Sequence, residues 1–355
     1  MFFKFIERKF KRALIKVLAG LSSPQKVTVG ELKSMKLKNI AVVRQDNRIG
    51  NLIFLIPLIK TLKQDYPNAD IDVITGYKYG NLLTRVKEID ELICFNQKKA
   101  LMNPIYFLSF RKRLKSKEYD LVIDAGNMGS LSTNNILTGA LCGGKVYAGY
   151  DRKESSSFLN LPIPTIDYDQ HESQLFLHIA NFISEKKRKL YPQINVTKGE
   201  SEEAQKVLSD LGYGRHIRKI GIHVGGRRGK RWEIGNFVKL SLELKTRGNT
   251  ILFFSGPDEN KLLENTDLES EKGIIHFSSV PLGLLIGLIS ECDLFITGDN
   301  GPLHLAAALG VPCVQIFRVD NWRRYGYTDA PHRIVMPVDP SYENVLEIVR
   351  GSLNR

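Results

Sequence analysis

From Lys38 onward the chain alternates short, nearly continuous apolar runs with longer stretches whose apolar residues recur at three- and four-residue steps. The first pattern predicts strands buried on both faces and the second predicts helices packed against them, together βα units on a parallel sheet. Strands are predicted at 39–44, 70–75, 91–95, 120–124 and 145–149, and again at 218–224, 250–255, 274–277, 293–297 and 312–317. Residues 52–63 read as an apolar helix with Pro57 inside it, and Tyr342–Leu353 as a closing helix. Between the halves, 151–168 is rich in Ser, Pro and Asp and reads as a linker or crossover. The predicted fold is α/β: two Rossmann-like doubly wound domains facing a cleft, at 37–168 and 169–340, with an N-terminal segment 1–36 and a C-terminal helix 341–355. Ligands of such sheets bind beyond the carboxyl ends of the strands, so the loops that follow strands are where chemistry is sought.

The first residues follow a different rule. Phe3, Ile6, Phe10, Ala13, Leu14, Val17 and Leu18 share one helical face, and Lys4, Arg8, Lys9, Lys11, Arg12 and Lys16 fill the rest. Residues 1–20 thus predict a basic amphipathic helix of the kind that lies in a membrane interface, the alternative being a helix docked on the protein's own core. Charges interrupt the stretch throughout, so it does not read as a secretory signal.

Composition adds a constraint. With 43% hydrophobic residues among 355, the chain is globular in character, and no apolar run is long enough to cross a bilayer. It carries 51 Lys and Arg against 38 Asp and Glu, a net +13, of which residues 1–36 hold +7. That excess calls for an anionic partner: nucleic acid, a membrane surface or a phosphorylated substrate. Four dispersed cysteines without a CxxC pair fit buried thiols in a reducing cytoplasm.

Three loops carry candidate chemistry. After the first strand, Gln45-Asp46-Asn47-Arg48-Ile49-Gly50-Asn51 presents a carboxylate, a guanidinium and an amide, although Gly50 and Asn51 could simply make a turn and a helix cap. No GxGxxG occurs there, which weakens a dinucleotide-cofactor reading. After the strand at 218–224, Gly225-Gly226-Arg227-Arg228-Gly229-Lys230-Arg231-Trp232 departs from the Walker A spelling, yet glycine-loop amides beside four basic side chains make an anion site suited to a diphosphate. After the strand at 293–297, Asp299 or Asn300 can cap a helix beginning near Gly301, with His304 on its first turn.

The spellings GDNGPLHLAAALGVPCVQIF, IGIHVGGRRGKRW and VVRQDNRIGNLIFLIPLIKTL resemble the heptosyltransferase family of bacterial glycosyltransferases, from about Lys38 to Phe317. The resemblance implies the two-Rossmann glycosyltransferase-B architecture and metal-independent, inverting transfer of a sugar from a nucleotide diphosphate, ADP-heptose being the expected donor, to a lipopolysaccharide-type acceptor. It implies donor contacts from Lys230 and Trp232 of the Lys-x-Trp spelling, from Asp299, Asn300, Gly301 and His304, and from Gly225 and Gly226 beside the phosphates. One departure concerns the base. Family members read Gly-Asp after the first strand, and here the pair is Gly50-Asn51. Asp46 is the substitute in the same loop; otherwise deprotonation occurs elsewhere, or the chain is a catalytically impaired nucleotide-sugar binder or uses another donor sugar.

Asp70-x-Asp72 and Asp167-x-Asp169 spell a metal-binding pattern but fall at a strand start and in the expected linker, so no metal is expected and no cofactor beyond the donor substrate. The run Arg111-Lys112-Arg113-Leu114-Lys115-Ser116-Lys117 reads as a solvated helix end or a contact for a phosphorylated glycolipid or lipid head groups, and lacks the interleaved aromatics of a nucleic-acid surface. The expected partners are therefore the nucleotide sugar, an anionic glycolipid or glycan acceptor, and the inner face of the cytoplasmic membrane through residues 1–20, with no nucleic acid.

Overall fold

The computed structural model describes residues 24–152, 156–213, 217–226, 229–263, 266, 268 and 271–354. The segment 1–20 lies outside them. The chain divides into two compact units, residues 1–168 with 173–191, and 169–172 with 192–355.

The first unit holds a six-stranded parallel sheet: β1 (Asn39–Arg44), β2 (Asp70–Gly76), β3 (Glu91–Phe95), β4 (Leu121–Asp124), β5 (Val146–Tyr150) and β6 (Leu161–Ile163), in the order β3-β2-β1-β4-β5-β6. Ile40 pairs with Ile71 on one side and Leu121 on the other, and Ile40–Val43 are fully buried, as expected where helices cover both faces. The linker reading of 151–168 is corrected: β6 pairs with β5 from inside that stretch. Its three residues include Pro162, which an edge strand tolerates because no second neighbour needs the missing N–H. The expected helix over 52–63 is two helices, Ile49–Ile53 and Ile56–Asp65, with Pro57 in the first turn of the second, where its lacking N–H costs nothing.

The expected boundary at 168 also shifts. The helix Glu172–Ser184 lays Leu175, Phe176, Ile179 and Ile183 into buried positions, and most of it belongs with the first unit. Phe176 lies beneath the Arg44 guanidinium at 5.0 Å, and Arg188 and Lys186 pair with Asp65.

The second unit repeats the plan with β7 (Lys219–His223), β8 (Thr250–Ser255), β9 (Ile274–Ser278), β10 (Leu294–Gly298), β11 (Cys313–Ile316) and β12 (Arg333–Ile334), all parallel, in the order β12-β11-β10-β7-β8-β9. Numbered within each unit, the order is the same. β12, two residues long, escapes the sequence pattern. The closing helix Tyr342–Leu353 contributes Tyr342, Val345, Leu346 and Val349 to the core of this unit. The order reverses between β1 and β4 and between β7 and β10, so a crevice opens at the carboxyl end of each pair.

Candidate functional site

In the first unit the loops after β1 and β4 border a polar cavity of about 290 Å³, lined by Arg44, Gln45, Asp46, Asn47, Arg48, Asn127, Ser130, Leu131, Ser132 and Asn135. Its floor is braced from below. Asp124 at the end of β4 is fully buried, pairs with buried Arg152 at 2.8 Å and accepts from the Asn135 amide at 2.8 Å; Asn135 in turn accepts from the Gln45 backbone N–H. The loop after β1 is thereby tied to the end of β4.

Asp46 sits at the wall with its side chain 12% exposed. One oxygen, Oδ1, accepts from the Arg48 backbone N–H and Nε at 3.0 and 3.1 Å. The other accepts from Arg44 Nη2 and Arg48 Nη2, both at 3.1 Å, and from Asn51 Nδ2 at 2.6 Å. Burial alone would raise the Asp46 pKa, but the charge of Arg44, then the hydrogen bond and charge of Arg48 and the bond from Asn51, outweigh it and hold the carboxyl below its ordinary range. Asn51 caps no helix: it lies inside Ile49–Ile53 and spends its amide on Asp46. The two expected catalytic residues are thus in contact.

In the second unit the loops after β7 and β10 meet across the switch point. Gly225 and Gly226 are there because the loop is tight. A Cβ on Gly225 would lie 2.4 Å from the His223 ring, and one on Gly226 would lie 2.7 Å from the Arg231 backbone. Asn300 caps the Gly301–Ala308 helix by accepting from the Leu303 N–H at 3.1 Å, while its Nδ2 donates to the Gly225 carbonyl and to Thr297 Oγ1, each at 2.7 Å. A single amide therefore joins helix, strand and glycine loop. Lys230 Nζ donates to Asp299 Oδ2 at 2.5 Å and lies 5.2 Å from the centre of the Tyr325 ring; Asn321 donates to the same carboxylate oxygen at 2.8 Å. Because Pro302 has no N–H and Leu303 is capped, Gly301 carries the first-turn donor without a partner among the described residues.

His304 is 4% exposed and contacts the Tyr327 hydroxyl through Nδ1 at 3.2 Å. Burial takes its pKa down to about 4, against the opposing pull of Asp299, with Lys230 adding to the lowering. His171, 4.8 Å from the Tyr327 ring, is pushed down to about 3 by burial and by His304. Both imidazoles are neutral at pH 7.

Seven of the eight expected donor residues thus gather at one edge of the second sheet. Trp232 is the exception. Its ring is 2% exposed in the core, edge-on to Phe237 at 5.0 Å, and its indole N–H donates to the Pro340 carbonyl at 3.1 Å. It anchors the loop that carries Lys230 and leaves no surface for a ligand. Sequence reading missed Asn321, His223 and Thr297; His223 precedes the glycines by two residues, and the ban on a Cβ at Gly225 is the signal that marks it. Asp72 of the discounted Asp-x-Asp pair is buried against Lys117 and Tyr119. Among the described residues no three His, Cys, Asp or Glu side chains converge as metal ligands.

Residues 107–348 match the family described as glycosyltransferase family 9 (heptosyltransferase). The chain belongs to that family. It is 25% identical over 292 residues to lipopolysaccharide heptosyltransferase 3 of Escherichia coli, covering 77% of this chain and 83% of that protein. Among solved structures, E. coli ADP-heptose LPS heptosyltransferase II superposes with a TM-score of 0.73 at 21% identity, over 88% of this chain and 98% of that one. E. coli heptosyltransferase WaaC, solved with ADP, gives 0.69 at 18%, over 88% and 99%. The fold is the glycosyltransferase-B architecture, and this family 9 chain is a glycosyltransferase. No helix of the described residues is long and apolar enough to cross a membrane.

Both imidazoles have folded pKa values below the unfolded value near 6.5, so below that pH the unfolded chain binds protons that the folded chain refuses. Urea midpoints should fall as pH drops from 6.5 toward 4, each imidazole removing up to about 1.4 kcal/mol per pH unit, and the pair His171→Asn and His304→Asn should flatten the slope. A midpoint independent of pH over that window contradicts the burial argument. Trp232→Phe, which loses the Pro340 bond, should cost about 1–2 kcal/mol of stability, read as a lower urea midpoint; an unchanged midpoint would contradict its anchoring role.

Proposed function

We propose that this chain transfers a heptosyl group, with inversion and without a metal ion, from ADP-heptose to an anionic lipopolysaccharide-type acceptor at the cytoplasmic membrane surface. The observation that carries the reading is the cluster at the β7–β10 switch point, where Lys230, Asp299, Asn300, Gly301 and His304 meet the glycine loop. The ADP bound by the WaaC relative and the heptosyltransferase names of the relatives support the choice of donor.

The departing nucleoside diphosphate gains negative charge. Lys230, at present paired with Asp299, and the Gly301 N–H are the donors available to answer it, a role fixed groups fill at low reorganisation cost. His304, neutral through burial, offers a hydrogen-bonding ring without adding charge. The glycines let the loop pack against the His223 ring and the Arg231 backbone, and the Gly225 N–H is spent on His223 Nδ1, so the loop's part is to hold Lys230 and Asn300 in place.

On the acceptor side, Asp46 is the base, and its five hydrogen bonds set the condition for its use. Arg44 is buried, whereas the Arg48 side chain is 65% exposed. An anionic acceptor that recruits the Arg48 guanidinium removes two of those bonds, frees a lone pair and raises the proton affinity of Asp46 at the moment of binding. A second reading, a nucleotide-sugar binder with impaired turnover, draws support from the same saturation of Asp46 and from the amide at Asn51.

Lys230→Ala should lower kcat/KM for ADP-heptose by about 10²–10³ and weaken ADP binding; unchanged values sink the donor assignment. Asp46→Asn should abolish single-turnover transfer to a lipopolysaccharide-type acceptor, a loss of about 10²–10⁴, while Arg48→Gln should move the acid limb of the pH–rate profile to higher pH, because the base loses the cation that holds its pKa down. No single-turnover consumption by the unaltered chain would establish the binder instead.

A further inference from the structure

The helices Gln97–Met102 and Pro104–Lys115, which follow β3, carry apolar residues on two faces. The inner face is accounted for. Phe95 stacks on Phe110 at 4.2 Å and on Tyr106 at 6.0 Å, and Phe110 and Leu114 are buried. The outer face is not: Leu101 and Met102 are 86% exposed, Ile105 76% and Leu108 56%. No other large apolar side chain among the described residues exceeds 52% exposure. A surface helix needs one apolar stripe to hold it to its domain, so the second stripe packs on nothing among the described residues.

The neighbouring charges identify what it meets. Lys98 precedes the stripe, and Arg111, Lys112 and Lys115 continue it along the exposed face of the second helix, Lys112 and Arg111 lying one turn beyond Leu108. All four are exposed and form no ion pair among the described residues, whereas Arg113 and Lys117 on the other side of the helix pair with Glu91. Aliphatic side chains flanked by unpaired cations fit an anionic lipid surface: the chains enter the acyl boundary and the cations meet the head groups. A second copy of this chain placed across a two-fold axis would set the same cations against one another.

We infer that this helix pair docks the first unit onto an anionic membrane surface, independently of residues 1–20. Position supports the inference. The first helix leaves the carboxyl edge of β3, the edge at which the loops after β1 and β4 border the polar cavity, and the second runs back toward the amino end of β3, where Arg113 meets Glu91; the apolar stripe thus begins at the carboxyl edge, and β3 stands two strand spacings, about 10 Å, from β1. A lipid-anchored acceptor held at that edge is delivered beside Asp46.

The docking stands apart from the transferase reading, and its test needs neither donor nor acceptor. Leu101→Trp in the full chain, with the emission of Trp232 and Trp322 subtracted from the unaltered protein, should shift to the blue on phosphatidylcholine–phosphatidylglycerol vesicles, be quenched by brominated acyl chains, and respond far less to pure phosphatidylcholine. Leu101→Ser, Met102→Ser, Ile105→Ser and Leu108→Ser together should weaken co-sedimentation with the anionic vesicles by roughly tenfold or more without lowering the melting temperature, since all four side chains are exposed in the free protein. Vesicle binding without quenching at position 101 would assign all attachment to residues 1–20 and overturn the inference. A blue shift that grows with protein concentration in the absence of vesicles would overturn it equally, in favour of self-association.

Discussion

Everything chemical in this protein depends on the direction of its strands. All pairings in both sheets are parallel, so every β-to-α loop of a unit emerges at one edge, and the reversal of order between β1 and β4, and between β7 and β10, sends the following helices to opposite faces. The gap left there is where backbone groups lack a neighbouring connection and side chains from non-consecutive loops can meet. Gln45 meets Asn135 and Arg44 meets Asn127 by that route, and Lys230 meets Asp299 across 69 positions of chain.

Two polar hubs hold these gaps in shape, and they solve the same problem differently. Under the first site an ion pair, Asp124 with Arg152, is buried at 0% and 7% exposure and extended by Asn135, so that neither charge is left without hydrogen bonds. At the second, a neutral amide does the joining, because Asn300 can accept from a helix N–H and donate to a carbonyl and a hydroxyl at once. The first hub leaves its cations, Arg44 and Arg48, committed to Asp46. The second leaves Lys230 at the rim, 32% exposed and, among the described residues, held by Asp299 and the Tyr325 ring.

Ten of the twelve strands were legible as apolar runs, because a strand covered on both faces has no polar alternation to obscure it. β6 and β12 were not: three and two residues at sheet edges, one containing Pro162, offer too little pattern to stand out from a loop. The glycine loop and the Asp299–His304 block were legible as an anion site because small residues, a cap and a helix start are written in sequence order. Trp232 was misread for the same reason. Spacing places it beside Lys230, but residues 230–233 form no regular strand, so period-two alternation does not bind the two side chains to one side, and the indole turns to the core while the ammonium turns to Asp299. Contacts among Asp46, Arg44, Arg48 and Asn51 are local in sequence, yet their saturation of one carboxylate follows from side-chain directions that no spacing reveals.

The amide at Asn51 has a consequence for the acidity range in which the first site keeps its charge pattern. A carboxylate at that place, 2.6 Å from Asp46, would set two like charges in contact, and one of the pair would hold a proton more tightly than Asp46 does now. With an amide, the arrangement of one anion between two guanidiniums has nothing to titrate near neutrality. The site is insulated from ambient proton concentration until another anion arrives to compete for Arg48.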